Sequence, residues 1–66
     1  MFKNGDIVEL TRDLSIYKSG KKAHFINFES KTRANIVWFG DEDEYSKYGD
    51  TEVIPINMIK LSEKVK

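Results

Sequence analysis

The apolar residues of this chain arrive in short runs, "DIVEL", "AHFINF", "ANIVWF", "EVIP" and "MIKL", each rich in β-branched or aromatic side chains and separated by polar, turn-forming stretches. No segment sustains helical spacing over three turns, so the pattern argues against a helix bundle and predicts strands. In Gly5 to Thr11, Val8 and Leu10 share one face and Glu9 and Thr11 the other, as in a half-buried strand. Ala23 to Glu29 reads as a second strand and Ala34 to Gly40 as a third, central one, because it is apolar on both faces. Thr51 to Pro55 makes a fourth and Met58 to Leu61 a short fifth. Between them lie two long polar loops, "RDLSIYKSGKK" and "DEDEYSKYGD", and the tight turn "SKTR". Leu14, Ile16 and Tyr17 imply that the first long loop lies against the body. In the third strand either Ile36 and Trp38 or Val37 and Phe39 face inward, and the sequence leaves that choice open.

Size limits what these strands can build. With 66 residues the chain makes one domain, expected to span 1–62 with a frayed polar tail at 63–66. So small a domain buries only roughly 60% of the surface that its unfolded chain exposes, which leaves little room for a deep pocket. There is no cysteine and one histidine, His24, so neither disulfides nor a thiolate or histidine-rich metal site is expected, and no cofactor. The serines lie in loops without a base at a diagnostic spacing, which predicts a non-enzymatic protein. Absence of cysteine fits a reducing compartment, and no apolar run approaches a membrane span. "MFKNGDIVEL" has no signal-peptide pattern. A cytoplasmic protein is expected.

Pro55 is the chain's single proline, and it gives no N–H to a ladder, so its strand must end, bulge or run along an edge there. The stretch "VIPINMIKL" resembles the closing segment of Src-homology 3 domains, where a single 3₁₀ turn follows the proline and joins the last two strands. "FKNGDIVEL" likewise is similar to an early strand of that family. The family's "A-L-Y-D-Y" segment and paired tryptophans are absent, and Met58 stands where its groove tyrosine would be. The closer resemblance is therefore to the wider class of SH3-like small barrels, which includes KOW modules. It implies an all-β, five-stranded SH3-like barrel with one 3₁₀ turn before the last strand. It also implies core positions for Ile54 and Ile59 and groove positions for Pro55 and Met58.

Two surfaces are candidates for binding. Tyr45 and Tyr48 stand among Asp41, Glu42, Asp43, Glu44, Asp50 and Glu52. With Tyr17, Pro55 and Met58 they could form a stiff loop face that docks on a protein partner, while the carboxylates steer a basic one. In the alternative, those tyrosines lie down on the barrel. The second surface is basic: Lys18, Lys21, Lys22, Lys31 and Arg33, which with Tyr17 and Trp38 could bind nucleic acid as a KOW-like module does. Formal net charge is zero. Residues 1–35 hold seven Lys/Arg against four Asp/Glu and residues 36–66 the reverse. A protein partner is the first expectation and a nucleic acid the second.

Overall fold

The computed structural model describes residues 1–42 and 51–65. Its strands are β1 (Ile7–Leu10), β2 (Lys22–Phe28), β3 (Arg33–Trp38), β4 (Glu52–Pro55) and β5 (Ile59–Glu63), with a 3₁₀ turn at Ile56–Met58. All neighbours are antiparallel, in the spatial order β4-β3-β2-β1-β5. Among the described residues no ladder joins β4 to β5, so the sheet keeps two edges, and no helix is long and apolar enough to cross a membrane.

Pro55 shows why β4 sits at one of those edges. It ends the strand where its missing N–H faces no neighbour, and Ile56 resumes bonding by donating to the Thr32 carbonyl at 2.8 Å. Inward-facing residues come from every strand: Val8 and Leu10, Ala23 and Phe25, Ala34, Ile36 and Trp38, Ile54, and Ile59 form one buried cluster. Ile54 and Ile59 belong to opposite edge strands, so a single sheet can bury both in one core only by curling strongly on itself.

β3 is an interior strand, between β2 and the edge strand β4, which suits its two apolar faces, while β2 holds the centre of the sheet. Trp38 turns inward, only 2% exposed, and its indole N–H donates to Glu52 Oε2 at 3.1 Å. Val37, on the opposite face, is also fully buried. Its cross-strand neighbour His24 packs its ring against Phe39 at 4.6 Å and meets Glu42 Oε2 at 2.9 Å, so the chain after β3 folds back over that face.

Two irregularities re-aim side chains. The β2–β3 register slips between Phe25 and Asn27, leaving Ile26 without a partner residue. That slip sets Phe28 opposite the buried Ala34, on the core side, where its ring meets Phe25 edge-on at 5.0 Å. The Ile26 carbonyl accepts the Asn4 side-chain amide at 3.0 Å. A second slip, between Ile7 and Val8, leaves Ser62 unopposed in β5.

Glu63 closes β5, and the Val65 N–H donates to Asp6 Oδ1 at 2.7 Å; Lys66 lies outside the described residues. Asp6 is buried, and a buried carboxylate needs donors, which here are Val65 and the Lys3 N–H at 2.8 Å. Gly5, at φ +97°, lets the two ends approach: a Cβ there would stand 2.9 Å from Val65 Cγ2.

Candidate functional site

The loop between β1 and β2 is tied down along its length. Leu14 and Tyr17 exchange both backbone hydrogen bonds, at 2.8 and 2.9 Å, around an apex of Ser15 and the exposed Ile16. Asp13 Oδ1 accepts the Ser19 N–H at 2.8 Å, and the Lys21 ammonium donates to the Phe39 carbonyl at 2.8 Å. The half-buried Tyr17 ring stacks on Trp38 with centroids 4.2 Å apart, and Lys21 Nζ stands 5.9 Å from the Tyr17 centroid. Burial, and then the carboxylates of Asp41 and Glu52, push the Tyr17 hydroxyl above the ordinary tyrosine pKa. The loop thus lies on the body through Leu14 and Tyr17 but not through Ile16, which was expected there too and is exposed, and Tyr17 acts as a cover for Trp38 more than as a free ledge.

Of the other residues expected at a protein-docking face, Met58 and Pro55 are described, and their surroundings differ. Met58 is half-buried and packs against the core, and its carbonyl accepts the Thr11 N–H at 2.8 Å. Pro55 is exposed, but its neighbours are those of a different place: a groove of ≈ 410 Å³ lined by Lys31, Thr32, Arg33, Pro55 and Asn57. Tyr45 and Tyr48 lie outside the described residues.

The basic residues also divide. Lys22 begins β2, and Lys31 and Arg33 flank the turn beyond its far end, roughly 20 Å away at strand rise. Lys18 is exposed, 3.7 Å from Asp13, and Lys21 is spent on the Phe39 carbonyl. These cations do not share one face. Among the described residues neither Lys31 nor Arg33 is in an ion pair.

Beside the Pro55 groove runs a second, of ≈ 590 Å³, lined by Met1, Phe2, Phe28, Ser30, Lys31 and Ile56. Lys31 borders both, so the two grooves adjoin at that side chain and make up a depression beside the β2–β3 turn and the 3₁₀ turn. Its apolar part was not foreseen from sequence. Phe28, three residues after Phe25, falls on the opposite face of a regular strand, and only the register slip brings it round. The visible signal was "FINF" closing a strand next to a tight turn.

Among the described residues no group of three or more His, Cys, Asp or Glu could hold a metal ion. No protein-family model matches the chain, and no curated protein or solved structure shows significant similarity to it.

Proposed function

We propose that this chain is a small non-enzymatic binding module, an SH3-like barrel that docks on a protein partner through the depression at the β2–β3 turn and the 3₁₀ turn. The observation that carries the reading is the adjacency of an apolar groove and a polar one that share Lys31, with Pro55 exposed in the polar part. An apolar floor with a few polar groups at its margin is the usual make-up of a site that recognises a segment of another protein. The barrel assignment draws support from the strand order, the 3₁₀ turn between the two edge strands, and the burial of both edges in one core. The non-enzymatic part rests on composition: no cysteine, and one histidine that is engaged with Glu42. Cytoplasmic residence is part of the same reading and rests on the lack of cysteine.

Selection of displayed random peptides against the folded protein tests this. Enriched peptides are expected to shift the amide signals of Phe28 to Arg33, Ile56 and Asn57. If no peptide is enriched, or the shifts gather at Lys18 to Lys22 and appear with single-stranded nucleic acid instead, the reading fails and the basic loop is the binding surface.

A further inference from the structure

The reading above names a place but not what fills it, and the chemistry of the two grooves narrows the occupant. The larger groove takes its walls from Phe2, Phe28 and Ile56, with Lys31 at its border. The adjoining one adds Arg33 beside Pro55, Thr32 and Asn57. Among the described residues no carboxylate lines either groove. The turn between Phe28 and Arg33 is closed by the Glu29 and Ser30 N–H groups, both donating to the Arg33 carbonyl, at 2.9 and 3.2 Å. Ile56 is fixed on the other side by its bond to Thr32. Both cations therefore stand on a backbone-braced rim, exposed and without an ion pair among the described residues.

From this we infer that the depression recognises an extended acidic-apolar segment of a partner protein. Resting on the proposed docking function, the inference seats one large aliphatic or aromatic side chain of that segment between Phe2, Phe28 and Ile56. Carboxylates two to four residues away along the segment then meet Lys31 and Arg33, since an extended chain advances about 3.3 Å per residue and the two grooves adjoin. Charge complementarity selects the sign: a rim of two exposed cations with no ion pair among the described residues attracts carboxylates and repels a lysine-rich peptide. The apolar wall supplies the anchor. Among the described residues a polyproline ligand finds no Tyr or Trp in this depression, because Tyr17 and Trp38 stack on each other outside its lining.

The test is a titration, followed by amide shifts, with a capped synthetic peptide carrying a central Leu-Phe pair flanked by Asp and Glu. Its Asn/Gln counterpart, its Lys-flanked counterpart, a polyproline peptide and oligo-dT serve as comparisons. The acidic peptide is expected to move Phe28 to Arg33, Ile56 and Asn57. Combined Lys31→Glu and Arg33→Glu substitution is expected to weaken it about tenfold and to favour the Lys-flanked peptide. Both side chains are exposed, so this variant should keep the wild-type spectrum. Phe28→Ala should weaken the acidic and Asn/Gln peptides alike. If the Asn/Gln, Lys-flanked or polyproline peptide binds the same residues as tightly as the acidic one, the acidic assignment is overturned while the docking site stands. If no peptide moves these residues, both fall. Oligo-dT binding that is lost with Lys31 and Arg33 overturns the assignment in favour of nucleic acid.

Discussion

Asp6 holds the two ends of the chain together with two hydrogen bonds to a buried carboxylate, and its ionisation should be felt in stability. Its pKa is pulled below the ordinary aspartate value first by the Val65 N–H and then by the Lys3 N–H; desolvation opposes them, and the charges of Lys3 and Lys64 assist. A depressed folded pKa adds stability above the unfolded value, about 3.9, and loses it as pH falls through the folded value. Asp6→Asn should therefore be less stable than wild type near neutrality. The difference in melting temperature should narrow as pH falls below about 4. A gap that stays constant to strongly acidic pH would mean that the amide's altered hydrogen bonding, not lost charge, explains the deficit.

Among the elements, strands and turns followed directly from residue pattern. β-branched runs, turn-forming loops and a lone proline specify where backbone pairs and where it stops, and these are local properties. Ile54 and Ile59, placed in the core by resemblance to SH3 domains, are 2% and 7% exposed. Truncating either to Ala should cost about 2 to 5 kcal/mol, a large part of the stability of so small a domain. Urea midpoints read this, and a midpoint equal to wild type for either variant would contradict the packing. Trp38's direction was not legible, since both faces of β3 are apolar and only the cover of Tyr17 and the partner Glu52 distinguish them. Phe28 was illegible for a different reason. Strand parity assumes an unbroken ladder, and the slip at Ile26 belongs to its pairing with β3 across the hairpin, which no pattern within β2 alone shows. The candidate depression is built on that slip, so its apolar half escaped the sequence, which had set Pro55 at a protein-docking face and Lys31 and Arg33 at a nucleic-acid-binding one.

At the scale of the whole molecule, one curled sheet serves as both core and surface. The inner faces of five strands share one cluster, and functional variety is left to what connects them. The β1–β2 loop is occupied in covering Trp38, whereas the β2–β3 and 3₁₀ turns leave an uncovered hollow between them. The antiparallel pairing of β1 with β5 also sets how the molecule would respond to being pulled. The start of β1 and the end of β5 lie side by side, so tension applied at the two termini acts across the ladder and parts it rung by rung, beginning at the Asp6–Val65 bond. Such peeling loads one hydrogen bond at a time, whereas shear would load them together. Optical-tweezer extension from the termini should accordingly open the domain at low force, with Asp6→Asn lowering the first rupture. Attachment at the N-terminus and Lys60, which pulls β1 and β5 along their axes in opposite directions, should demand markedly more; equal forces in the two geometries would contradict this picture of the ladder.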